Sequence, residues 1–209
     1  MHICYIVGAA PQAVRIAPQA SDFVIAADGG LSHLQRWGIV PNFLVGDMDS
    51  YLDAIPPGLF CARFPGEKDD TDLALALKEA LQRGYKHVVF SGCVGGRADH
   101  TIANLQLLVQ AAKHGVQAVL LDEGYTLTAL AGPGELALQG CGTVSVFAYG
   151  EQSRGVTITG MKYNIANEVL HGDVPRGVSN ELNGKGIVAV KQGVLLIYYM
   201  KGVCLCDTH

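Results

Sequence analysis

HVVFSGCVGGRADHTIANLQLLVQAAKHGVQAVLL, residues 87–121, decides the fold. His87–Phe90 is a short apolar run and reads as a strand. The turn from Gly92 to His100 is rich in glycine. Asp99 then opens a helix, where a carboxylate suits the free N–H groups of the first turn. Ile102, Leu105, Leu108 and Ala112 recur at helical spacing and are expected to face inward. Gly115 stops the helix, and Ala118–Leu121 is the next strand. A strand, a crossover helix and a second strand form a parallel unit, by default right-handed.

Working outward, the same alternation fills the residues before it. Ile3–Val7 runs into Gly8-Ala9-Ala10, and Phe23–Ala27 into Asp28-Gly29-Gly30. Leu31–Trp37 reads as a helix stopped by Gly38. Phe43–Val45 runs into Gly46-Asp47-Met48-Asp49-Ser50. Asp72–Arg83 is an amphipathic helix, with Leu73, Ala76, Leu77, Ala80 and Leu81 on one face and Gly84 at its end. The expectation is a parallel sheet covered by helices. Ligands of such sheets lie beyond the carboxyl ends of the strands. Helical periodicity stops near Gly132-Pro133-Gly134. Beyond it, residues 136–138, 143–149, 155–159, 186–190 and 194–199 read as strands between Gly, Asn and Asp turns. The fold class expected is α/β: a parallel-sheet domain over 1–131, followed by a small antiparallel β-sandwich over 132–209.

Composition narrows the function. The 209 residues are 49% hydrophobic and 16% charged, with a mean hydropathy of +0.25, which describes a packed globular chain. A net charge of −4 without a basic stripe argues against a nucleic-acid partner. The longest apolar runs are far short of a membrane span, and no basic region precedes the first strand as a signal peptide would need. Six scattered cysteines (4, 61, 93, 141, 204 and 206) lack CxxC pairing and read as reduced thiols in a cytoplasmic protein.

Acidic residues gather where the strands run out: Asp28, Asp47, Asp49, Asp69, Asp72 and Asp99. Unit charges about 4 Å apart repel by roughly 4 kcal/mol in a protein-like dielectric, so such an edge calls for a cation. A hard divalent ion with oxygen ligands, Mg²⁺ carrying a polyphosphate, fits best. Asp47 and Asp49 leave one strand two residues apart and can share an ion. The plain alternative is a polar turn, which Asp and Ser also favour. In Lys68-Asp69-Asp70-Thr71-Asp72, helix capping accounts for one or two carboxylates and leaves others for a metal. Lys68 suits a phosphate. Gly92–His100 makes a phosphate cradle, although it has neither the Walker lysine nor G-x-G-x-x-G. Arg97 offers a planar fork to phosphate oxygens. Asp99 alone would also serve as a cap, and His100 reads more readily as packing. Asn104, one turn on, faces the same edge as His100.

Together these pieces resemble the thiamine pyrophosphokinase family. Asp28-Gly-Gly, Gly46-Asp-Met-Asp-Ser, Asp69-Asp-Thr-Asp72, Gly95-Gly-Arg-Ala-Asp99-His and Gly177-Val-Ser-Asn-Glu181 stand in family order, over about residues 3–200. The resemblance implies a catalytic α/β domain, a thiamine-binding β-sandwich and a homodimer with active sites between subunits. It implies transfer of a diphosphoryl group from ATP to the hydroxyl of thiamine, releasing AMP. Asp47, Asp49 and Asp72 would hold Mg²⁺. Asp28, Asp69, Asp99 and Arg97 would form the catalytic set. Lys68, Gly96, Arg97 and Asn104 would meet ATP, and Tyr163, Ser179 and Asn180 would lie near thiamine. Tyr163 stands where some relatives carry Trp, and its smaller face departs from that pattern; its plain alternative is packing on the sandwich.

Three rival readings differ in class or substrate. A pyrophosphokinase acting on a hydroxymethyl pterin shares the acidic logic but not the β-rich tail. A nicotinamide-dependent dehydrogenase needs the missing G-x-G-x-x-G. A non-catalytic nucleotide sensor needs no metal cluster.

Overall fold

The computed structural model describes residues 2–46, 59–63 and 70–206. It divides into two compact units, Met1–Leu107 with Ala118–Glu123, and Leu108–Gln117 with Gly124–His209. The first carries β1 (Ile3–Val7), β2 (Phe23–Ala27), α1 (Gly30–Trp37), β3 (Phe43–Gly46), β4 (Phe60–Arg63), α2 (Asp72–Gln82) and β5 (His87–Ser91). Helix α3 (Ala98–Lys113) and β6 (Gln117–Leu121) complete the alternation.

The strand order here is β6-β5-β1-β2-β3-β4. Pairs β1–β5, β1–β2, β2–β3 and β3–β4 are parallel. One series of strands leaves β1 in one direction, and β5 and β6 lie on the other side. The order therefore reverses between β1 and β5, and the carboxyl ends of these two strands flank the crevice where such sheets bind ligands. The short β4, whose Phe60 is exposed, was absent from the strands expected; four residues with one aromatic carry little periodicity.

Helix α1 lies very close to β1. A Cβ on Gly30 would stand 1.8 Å from the Val7 carbonyl oxygen, so no larger residue fits at that approach. Leu31 and Leu34 are then fully buried with Val7, Val24, Ala26 and Leu44, each large side chain contributing about 1.5–3 kcal/mol. Helix α2 buries Ala76, Leu77 and Ala80, as its spacing predicts. Helix α3 corrects part of the inward set expected for it. Leu108 is fully buried as expected, but Ile102 is 61% exposed, and Asn104, Leu107, Val109 and Ala111 are buried as well. Apolar residues surround this helix on several sides, so periodicity sets the period but leaves the phase to packing.

The second unit holds β7 (Tyr125–Ala131), β8 (Gly134–Met161), β9 (Ile165–His171), β10 (Asn180–Val190), β11 (Gln192–Met200) and β12 (Val203–Leu205). The order is β10-β8-β11-β7, with β9 and β12 also pairing to β8, and these pairs are antiparallel. Where separate strands were expected at 136–138, 143–149 and 155–159, one strand of 28 residues runs through. Its glycines bend it instead of ending it. Gly160, at φ +72°, would press a Cβ to 2.2 Å from the Lys185 carbonyl oxygen. Bending lets Ile187 of β10 pair both with Ala137 and with Thr159, so β8 supplies both walls around Leu138, Val146, Ile158, Leu182, Leu195 and Ile197. Strands β7, β9 and β12 were also missed; β9 alternates polar and apolar residues only loosely, and β12 is three residues long.

Candidate active site

The exit of β1 and the turn after β5 are stitched together. The Gly8 N–H donates to the Ser91 carbonyl and the Ala10 N–H to that of Gly92, both at 2.8 Å. Beside this seam a cleft of about 260 Å³ is lined by Gly8, Asp28, Asp70, Asp72, His100 and Asn104, among others. A neighbouring cleft of about 310 Å³ takes in Ala10, Pro11, Gly96 and Arg97, and shares His100 and Asn104.

Each side chain arrives by a local cause. Asp28 ends β2 with φ +47°, a left-handed conformation that Asp tolerates better than most residues. Its N–H donates to the Val45 carbonyl at 2.8 Å, fastening it to β3. Thr71 caps α2, its hydroxyl accepting from the Ala74 N–H at 3.2 Å. Asp72 therefore occupies the first turn, where a carboxylate meets the positive end of the helix dipole. Asp70, passed over in the sequence reading, also lines the cleft. The only signal for it was its membership of the acidic run.

Helix α3 begins at Ala98, so Asp99 lies inside its first turn. Arg97 grips Asp99 with two hydrogen bonds, Nε to Oδ1 at 3.1 Å and an Nη to Oδ2 at 2.5 Å. The Arg97 hydrogen bond, joined by one from the His100 N–H, holds the Asp99 carboxyl down at about 2. Both side chains are mostly exposed. Asn104 is buried and donates to the Cys93 carbonyl at 2.7 Å, bracing the turn. Burial pushes the Cys93 thiol up to about 12, so it packs as an apolar group.

Asp47, Asp49, Lys68 and Asp69 lie outside the described residues. Among the described residues no group of three His, Cys, Asp or Glu is disposed to hold a metal. The donors that do line the cleft are carboxylate oxygens from Asp28, Asp70 and Asp72, the chemistry that hard divalent cations take.

Residues 15–120 match "Thiamin pyrophosphokinase, catalytic domain", and residues 136–195 match "Thiamin pyrophosphokinase, vitamin B1 binding domain". The chain belongs to the thiamine pyrophosphokinase family. It is 30% identical over 184 residues to the thiamine pyrophosphokinase of Bacillus subtilis (strain 168), covering 83% of this chain and 85% of that protein. The crystal structure of thiamine pyrophosphokinase from Bacillus subtilis superposes with a TM-score of 0.85 at 27% identity, over 96% of this chain and 99% of the other. That from Geobacillus thermodenitrificans gives 0.83 at 27% identity, over 95% and 97%.

Within the segment that matches the vitamin B1 binding domain, the structure brings together the three residues that the thiamine pyrophosphokinase resemblance pointed to. The Tyr163 N–H donates to Asn180 Oδ1 at 2.9 Å, and Asn180 Nδ2 donates to the Tyr163 carbonyl at 2.7 Å. Asn180 is buried and its amide is spent on the Tyr163 backbone. It thus holds the backbone of Tyr163, a residue 60% exposed. Ser179 sits at φ +60°, with its N–H donated to Ser145 Oγ at 3.0 Å. Lys162 pairs with Glu181 at 2.6 Å and lies 5.5 Å from the Tyr163 ring centre.

Proposed function

We propose that the chain transfers the diphosphoryl group of ATP to the hydroxyl of thiamine, giving thiamine diphosphate and AMP. The observation that carries this is the carboxylate-lined cleft at the reversal of strand order, in a chain matching both the catalytic and the vitamin B1 binding domains of its family. Nothing in the comparisons favours a pterin as acceptor, and the match over residues 136–195 favours thiamine.

Asp47, Asp49 and Asp72 would hold Mg²⁺, which when bound would supply positive charge to offset that of the phosphates. Arg97 would leave Asp99 for the phosphate chain, with Lys68, the backbone at Gly96 and Asn104 completing the nucleotide contacts. Asp28 keeps the cleft acidic beside the cationic thiamine. Asp69 or Asp99 would orient the attacking hydroxyl. Such transition states are loose, so orientation and charge matter more than a strong base. Tyr163, presented by Asn180 and flanked by Ser179, would meet thiamine with its ring face. We read the working form as a cytoplasmic homodimer with sites between subunits; six free thiols suit a reducing compartment. No helix among the described residues is long and apolar enough to cross a membrane.

The test is AMP release on adding thiamine to the purified protein with ATP and Mg²⁺. Asp47→Asn or Asp49→Asn is expected to cut turnover by at least about two orders of magnitude, the usual cost of losing an electrostatic contact to the reacting phosphate. Near-normal Mg²⁺-dependent rates in both variants would rule out their metal role. A faster reaction with a hydroxymethyl pterin than with thiamine would reverse the choice of acceptor.

A further inference from the structure

Helix α1 carries a histidine that the reaction does not call on. His33 is 7% exposed, and its ring stacks on Trp37 with centroids 5.7 Å apart. Both ring nitrogens have partners. Nδ1 is in close contact with the Arg36 guanidinium, and Nε2 lies 2.9 Å from the Ala10 carbonyl oxygen. A guanidinium can only donate, so Nδ1 carries the lone pair and Nε2 carries the proton that Ala10 accepts. Burial, reinforced by the charge of Arg36, lowers the His33 pKa and keeps the ring in this neutral form.

The backbone of Ala10 is therefore held from two sides. Its N–H is tied to Gly92, in the turn after β5, and its C=O to His33, on α1. Ala9, Ala10 and Pro11 form a wall of the clefts described above. This wall also abuts the turn that carries Arg97: a Cβ on Gly96 would lie 3.6 Å from Pro11. A shift of the Ala10 carbonyl would thus change the width of the cleft and the position of the turn together.

We infer that His33 is a positioning residue for the nucleotide, fixing the Ala9–Pro11 wall through its hydrogen bond to the Ala10 carbonyl. This rests on the reading of the clefts as the nucleotide site. The wall is built from backbone and small side chains, so its placement depends on what holds its peptide groups. Losing a single hydrogen bond of this kind corresponds to about a tenfold change in an equilibrium constant.

The experiment is calorimetry of a non-hydrolysable ATP analogue with Mg²⁺, on the wild type and on His33→Gln, His33→Asn and His33→Leu. The Gln amide nitrogen reaches about as far as Nε2, and that of Asn does not. Wild type and His33→Gln are expected to bind within about threefold of each other, with His33→Asn and His33→Leu weaker by about tenfold. In the steady state the loss should fall on KM for ATP, with KM for thiamine within about twofold. The Gln and Asn pair decides the matter if the leucine variant does not fold. Equal affinity in Gln and Asn variants would overturn the positioning role alone. No binding of the analogue by the wild type would overturn the nucleotide reading and this inference with it.

Discussion

At the exit of β5, Arg97 and Asp99 hold one another at the mouth of the clefts, and this pair can be followed directly. The Asp99 carboxyl is expected to titrate near about 2 in a carbon-13 NMR experiment. Replacing Arg97 with Met should raise the midpoint toward the ordinary aspartate value of about 3.9. Because the folded value lies below the ordinary one, the pair stabilises the folded chain above the ordinary carboxylate range. That contribution fades as pH falls toward about 2. An unchanged midpoint in Arg97→Met would show that the two side chains are not paired in solution. At this scale the places of Asp28 and Asp72 beside the cleft were legible, because carboxylates at strand exits have few other uses in such numbers. Asn180 was legible only as a member of a motif. Its amide serves the backbone of Tyr163, 17 residues away, and local sequence carries no trace of that partnership. His33 gave no signal at all, since its acceptor is a carbonyl 23 residues distant.

Among the elements, α2 has the most direct test. Thr71 accepts from Ala74 and so fixes where the helix starts, which in turn fixes the place of Asp72. Thr71→Ala should cost about 1 kcal/mol in urea unfolding, and Thr71→Ser only a few tenths. An alanine variant as stable as the wild type would mean that the cap carries no weight. The start, stop and inner face of α2 were readable because cap, period and terminal glycine all agree. Helix α3 was readable in extent but not in phase: Ile102 faces solvent, and Asn104 is buried against the Cys93 carbonyl. Strand β8 shows the opposite failure. Its glycines read as breaks because glycine disfavours strand interiors, yet the chain needs them as bends where other strands cross closely.

For the whole molecule, the state we propose in solution is a homodimer with sites between subunits. Light scattering at micromolar concentration should return twice the mass of the 22.1 kDa chain; a monomer with full activity would remove the shared-site reading. The alternation of short apolar runs and amphipathic helices by itself determined a parallel sheet followed by an antiparallel unit, because periods of 3.6 and 2 are properties of single segments. It also determined that Asp28 leaves the sheet at the carboxyl end of β2. Tertiary structure alone decided the strand order that reverses between β1 and β5, the phase of α3, the bends of β8 and the polar anchors His33 and Asn180. Those depend on which distant carbonyls and faces come within reach once the chain is packed, and contacts of that kind leave no period in the sequence.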